Sequence, residues 1–214
     1  MRHEGDRCHR APTGEIEVRV ATASDVDGLV EVLAAAFRTD PVWSWAFPRS
    51  QDLAAWWRFL IGSALRYPSI WIAGDYAAAS VWIPPNGTEL TEAEEEQVEP
   101  LLEELIGPRA ASVAELLRRF DATHPWRSPH FYLSLLGVHP DHRGKGLGMA
   151  LLAENLKRVD DEEVGAYLES SNPSNDRRYE RMGFRRVGEF ATPDTGGTVA
   201  TMWRDAVPRT PAGG

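Results

Sequence analysis

The chain has 214 residues, 43% of them hydrophobic and 26% charged, which suits one globular domain, or a tight pair of half-domains, with a substantial core. Asp plus Glu outnumber Lys plus Arg 32 to 23, a net charge of -9, so nucleic acid and anionic membranes are repelled while a cationic amine is attracted. Cys8 is the single cysteine, which excludes an intramolecular disulfide, and its place in a polar stretch argues against an acyl-cysteine intermediate. No apolar run reaches the ~18 residues of a membrane span, and Met1 to Pro12 lacks an apolar secretory core, so a cytoplasmic protein is expected.

Residues 1–14 read as a flexible segment, His3 and His9 included. Glu17 to Ala21 alternates as a half-buried strand does. Ser24 and Asp27 have capping-box spacing and predict the start of a helix whose stripe is Val26, Leu29, Val30, Leu33 and Phe37. That helix should end before Pro41. The connector from Asp40 to Pro48 holds five large apolar side chains, Trp43 and Trp45 among them. It reads either as a hydrophobic lid or as the wall of an acceptor pocket, with Asp40 as partner for an ammonium group. A second helix follows from about Asp52 to Tyr67. Ile70 to Ala73 and Ala77 to Ile83 read as an antiparallel hairpin turned at Gly74-Asp75.

Thr91 and Glu94 form a capping box for an acidic helix running to Ile106, where Gly107-Pro108 stops it. Its run from Glu92 to Glu104 reads as a solvated face, and a further helix covers Ala110 to Phe120. Residues 86–129 thus form a helical insertion where acceptor-specific elements can sit. Phe131 to Val138 is a near-continuous apolar run, as in a central strand covered on both faces, and Gly137 within it signals a bulge or a close backbone approach.

The stretch after Val138 organises the chain. A turn at His139-Pro140-Asp141 leads into Arg143-Gly144-Lys145-Gly146-Leu147-Gly148-Met149 and then an amphipathic helix, predicted from Arg143 to Val159. A glycine-rich turn opening a helix brings backbone N–H groups and the positive end of the helix dipole to an anion. The P-loop is excluded because Gly146 follows Lys145 where Ser or Thr would hold magnesium. The dinucleotide fingerprint fails because Met149 stands where its third glycine belongs.

Val164 to Ser170 should be the next strand, parallel to Phe131–Val138 through the intervening helix. Asn172 is a helix N-cap followed by Pro173. Asn175 and Tyr179 then share a face four residues apart, before Gly183 and a strand beginning at Phe184. Thr198 to Trp203 is a last strand, closing the sheet beside Phe184 to Val187, and residues 206–214 read as a flexible tail.

The R-x-x-G-x-G run at Arg143 to Gly148 and the N-x-x-x-Y-x-x-x-G-F run at Asn175 to Phe184 resemble the two signatures of the GCN5-related N-acetyltransferase (GNAT) superfamily. The likeness extends over about Val18 to Trp203 and looks closest to puromycin N-acetyltransferase and its actinobacterial relatives, through F-Y-L-x-x-x-G-V-x-P-D-H-x-G-K-G-L-G, L-E-S-S-x-P-x-N and Y-E-R-x-G-F. The resemblance implies an α/β fold over residues 15–205, with a mixed, twisted, mostly antiparallel sheet and splayed parallel central strands flanked by helices. It implies acetyl-CoA as co-substrate and no metal. The diphosphate would rest on Arg143, Gly144, Lys145, Gly146, Leu147, Gly148 and Met149, and the pantetheine arm on Leu136, Gly137 and Val138, with Asn175 and Tyr179 beside it.

In the same reading Tyr179 is the general acid at sulfur and the Val138 N–H the oxyanion donor. Glu169 leads as general base, with a water relay as rival and Asp40, His139 and His142 as lesser candidates. Asp40, Trp43 and Trp45 are assigned to the acceptor. The expected reaction is direct acetyl transfer in a ternary complex to a primary amine of a small molecule, an antibiotic or amino-acid-like metabolite, by a monomer or homodimer. Protein or peptide N-acetylation and a non-catalytic acyl-CoA-binding regulatory module are the alternatives.

Overall fold

The structure, a computed structural model, describes residues 16–194 and 197–208. The N-terminal segment with His3, Cys8 and His9, and most of the C-terminal tail, lie outside the described residues. The strands are β1 (Val18–Val20), β2 (Ile70–Ala73), β3 (Ala78–Ile83), β4 (His130–Val138), β5 (Gly165–Ser170), β6 (Arg185–Ala191) and β7 (Thr198–Arg204). They form one sheet in the order β1-β2-β3-β4-β5-β7-β6. Only β4 and β5 run parallel; every other neighbouring pair is antiparallel. The last strand in sequence therefore inserts between β5 and β6 and is not an outer edge.

The helices are α1 (Val26–Phe37), α2 (Trp43–Ala46), α3 (Ser50–Ala64), α4 (Glu92–Ile106), α5 (Ala110–Thr123), α6 (Leu147–Asp161) and α7 (Asp176–Arg181). The period-two alternation of strands separates two cores. Ile70, Ile72, Ala79, Val81 and Ile83 face a cluster built with α1, α3, α4 and α5. Trp71, Ala73, Ala78 and Trp82 face a second cluster closed by Leu151, Leu152, Leu156 and Val159 of α6. Each such buried side chain contributes roughly 1.5–3 kcal/mol, so α6 is held mainly by its apolar stripe. Its register is set by Asn155, whose buried Oδ1 accepts from Ser80 Oγ at 2.7 Å and Trp82 Nε1 at 3.0 Å.

Three local expectations change in the fold. The first helix is capped by Thr22 and Asp25, where Ser24 and Asp27 had the right spacing. The Asp25 carboxylate accepts from Thr22 N at 2.8 Å and is also bound by Arg19 and the Tyr76 hydroxyl, while Asp27 is drawn to Arg58 at 2.7 Å. These donors, Arg19 first, hold the Asp25 carboxyl far below the usual carboxylate range. The long helix begins at Leu147, four residues after Arg143, because Gly144 and Gly146 adopt φ of 79° and 77°, which right-handed helix excludes.

The third change concerns the bulge. Gly137 pairs regularly with Ala79, and the register slips instead from Val81↔Leu135 to Trp82↔Leu133, so Ser134 is the extra residue. Gly137 answers to the second reading, a close approach: a Cβ there would lie 2.8 Å from Ala36 Cβ and 2.9 Å from Leu33 Cδ2. Because α1 packs directly on that backbone, Gly137→Ala should destabilise the fold by about 1–3 kcal/mol; chemical denaturation of the variant measures the loss.

Candidate active site

Parallel pairing of β4 and β5 covers His130–Leu133 against Gly165–Leu168 and then ends, so the strands part just where the Ser134 bulge bends β4. From Ser134 onward β4 has β3 on one side and no strand on the other among the described residues. His139 N–H donates to Ala77 O at 2.9 Å, and with Val138 opposite Ala78 the antiparallel alternation turns the N–H groups of Val138 and Leu136 away from β3 into the gap. An extended amide-bearing chain can pair with that open edge as an added strand would.

The mouth of α6 lies at the end of the same strand. Its N-cap, Gly146, offers no side-chain cap, and the first turn of any helix leaves N–H groups without intrahelical acceptors. Nothing lies within 4 Å of a Cβ built at Gly144 or Gly146, so the loop is open to an anion such as a diphosphate. Gly148 has a different reason for being glycine: a Cβ there would meet Val138 Cγ2 at 2.9 Å, and the helix mouth could not sit this close to β4. Lys145 is exposed, while Arg143 donates to Ala36 O at 2.7 Å and ties the loop to the end of α1. Leu147 and Met149 are partly buried against the α6 core. His139 Nδ1 accepts from Asp141 N at 3.3 Å, capping the turn. His139 and His142 do not line the cavity described next.

A cavity of about 830 Å³ opens from the strand gap towards α4 and α5. Leu136, Asn175, Tyr179, Asp40, Trp43 and Glu169 are brought together on its walls. Trp45 is not among them. It packs between the two helical faces near Val42, Leu116 and Phe190, and its carbonyl accepts from Arg109. Asp40 is buried and already engaged: Oδ1 accepts from Val42 N and Trp43 N at 3.0 and 3.2 Å, and Oδ2 from Ser171 Oγ at 2.8 Å. It fixes the α2 turn to the end of β5. Burial nevertheless pushes its carboxyl up.

Glu169 is the least compensated group in the site. Its side chain is 2% exposed, and neither carboxylate oxygen makes a hydrogen bond. Burial pushes its carboxyl up to about 8, with the Tyr132 and Tyr167 phenols opposing and the charge of Glu89 adding to the rise. His124 Nδ1 lies 3.9 Å from Glu169 Oε1, and burial pushes that imidazole down to about 4, so it is neutral. Tyr179 is half-buried with its ring edge-on to Phe184; burial first, then the Asp40 and Asp176 carboxylates, push the phenol up to about 12.

Glu89 and His124 belong to this wall and were missed in the sequence. Glu89 follows a Pro-Pro-Asn-Gly turn and His124 precedes Pro125, so both read as loop. Only the fold brings them beside Ser134, Tyr132 and Glu169. Three residues of the acidic run, Glu95, Glu96 and Glu99, stay exposed as a solvated face should, and they also border the cavity.

Residues 111–202 match the family described as Acetyltransferase (GNAT) domain. The chain is 26% identical to a Corynebacterium glutamicum protein described as histone acetyltransferase HPA2 and related acetyltransferase, with a TM-score of 0.70, over 92% of this chain and 99% of that one. It shares its fold with an agmatine N-acetyltransferase (20% identity, TM-score 0.67, 89% and 99% covered). It also shares it with arylalkylamine N-acetyltransferase 2 from Aedes aegypti (16%, 0.68, 91% and 100%). The splayed parallel strands, the uncapped glycine-rich helix mouth and these likenesses converge: residues 111–202 are similar to a GNAT acetyltransferase domain, and the chain reads as an acetyl-CoA-dependent N-acetyltransferase.

Proposed function

We propose that the protein transfers the acetyl group of acetyl-CoA directly to a primary amine of a small molecule within a ternary complex. The observation that carries this reading is Glu169, a buried carboxylate without a hydrogen-bond partner, at the point where β4 and β5 part and on the wall of the cavity. A group whose proton affinity is raised towards neutrality is matched to removing a proton from an ammonium ion. Residues 15–205 act as one catalytic unit, in which 86–129 supply the acceptor side.

Each residue has a definite part. Gly144 to Met149 receive the diphosphate of acetyl-CoA on backbone N–H groups, and Leu136 to Val138 pair with its pantetheine amides, Asn175 and Tyr179 closing the opposite wall. The Val138 N–H is aimed at the gap, where it can stabilise negative charge developing on the thioester carbonyl oxygen. Tyr179, held as a neutral phenol, donates to the departing sulfur. Glu169 takes the proton of the attacking amine, and Trp43 supplies aromatic wall. The walls that α4 and α5 add to the cavity support a small acceptor over a peptide. The motif resemblance to puromycin N-acetyltransferase supports an antibiotic or amino-acid-like amine, acetylated in the cytoplasm.

Three measurements test these roles. Tyr179→Phe should lower kcat by roughly 10²-fold, the range of a lost general acid, with acetyl-CoA affinity unchanged by calorimetry. Unchanged turnover removes Tyr179 from the mechanism. Glu169 acts as base only when ionised, so kcat/KM should rise with pH through about 8 and level off above it, and Glu169→Gln should remove that limb.

The same group affects stability with a definite sign. Its folded proton affinity exceeds the unfolded one, so the stability it contributes is fully present below the unfolded value of 4.5 and is lost as pH rises through about 8. Glu169→Gln should therefore raise Tm at pH 9, by about 3 °C or more, with little change at pH 4 in thermal melts of the ligand-free protein.

A further inference from the structure

The cavity wall is unbalanced in charge beyond what one acceptor amine can answer. Seven carboxylates line it: Asp40, Glu89 and Glu169 inside, Glu95, Glu96 and Glu99 from α4, and Asp121 from α5. The single lysine or arginine among the lining residues is Arg118, and it is paired with Glu115 at 3.0 Å. His124 and His130 also face the cavity, but burial pushes both imidazoles down. Asp40 is occupied by three donors. Glu89 receives one hydrogen bond, from Ser134 Oγ, and Glu169 receives none while its side chain is 2% exposed.

A buried carboxylate without a partner is costly and is stabilised by an approaching cation. Ser134, which donates to Glu89, lines the same cavity as Glu169, and the charge of Glu89 acts on the Glu169 carboxyl. Glu89 and Glu169 thus flank the same strand gap. Once Glu169 has taken the proton of the reacting amine, Glu89 remains as a second acceptor with no cation beside it. Phe37, Trp43, Trp57 and Phe120 line the same cavity, and their rings suit an apolar or aromatic spacer.

We propose, resting on the reading of Glu169 as the base, that the acceptor is a dication: a primary amine joined through an apolar spacer to a second ammonium or guanidinium group, which Glu89 holds through the reaction. Glu95, Glu96, Glu99 and Asp121 raise the local concentration of that dication at the cavity mouth.

The test compares matched amines on the full-length wild-type enzyme with saturating acetyl-CoA: p-xylylenediamine against p-methylbenzylamine, and putrescine against butylamine. In each pair the diamine should show a kcat/KM higher on the order of thirtyfold, the factor of one charge-assisted contact, and Glu89→Gln should bring the two members of a pair together. Equal kcat/KM for diamine and monoamine in the wild type overturns the proposal while leaving amine acetylation intact. A preference that survives Glu89→Gln overturns the role of Glu89. Acetyl-CoA binding without turnover of any amine, by contrast, sinks the proposed function itself.

Discussion

The parting of β4 from β5 after Leu133 and Leu168 is the constraint on which the site depends. Two parallel strands that stayed paired to their ends would spend the Leu136 and Val138 N–H groups on a neighbour. Because the Ser134 bulge bends β4 at that point, those groups face the gap between the strands, where a ligand can complete the sheet edge. The geometry is held open from both sides. α1 lies against Gly137 on one face, where a methyl group would not fit, and α6 lies against Val138 through Gly148. Four glycines within a dozen residues, Gly137 and Gly148 at contacts and Gly144 and Gly146 in the turn, thus serve one purpose, bringing helices close to a strand that has lost its partner.

The same parting accounts for the chemistry. It exposes Tyr132, Ser134 and Glu169 to a cavity instead of to β-sheet neighbours, and the cavity is roofed by α4 and α5. Burial raises the proton affinity of Glu169 and lowers that of His124, so the two groups that could exchange charge are both neutral over part of the physiological range. An ion pair between them is not formed. The stored cost falls on a buried carboxyl that only the Tyr132 and Tyr167 phenols ease, a pattern expected where stability is given up for function.

Much of the fold was legible because its signals are local. The Thr91–Glu94 capping box forms as written, Asn172 caps the turn opened by Pro173, and the hairpin of β2 and β3 turns at Gly74 with φ of 58°. The candidate site was legible in its backbone half: the glycine run after Val138, and Asn175 with Tyr179 on one face. Errors arose where two local solutions competed and a distant residue chose. Thr22 and Asp25 prevailed over Ser24 and Asp27 because Arg19 and Tyr76 converge on Asp25. Trp45 and Trp43, two residues apart in an aromatic run, ended on different sides of α2, and only Trp43 reaches the cavity.

Hydrophobic periodicity, capping residues and the spacing of glycines by themselves determined the order of elements and the glycine-rich opening of α6, since each depends on residues within a turn or two of one another, whereas Glu169 and Tyr179 were singled out through the likeness to the GNAT signatures. The tertiary structure alone decided where Ser134 breaks the register, that β7 lies between β5 and β6, and that Glu89, His124 and one face of the acidic helix converge on Glu169. Those outcomes depend on packing between segments far apart in the chain, where no local pattern records which carboxylate will be left without a partner.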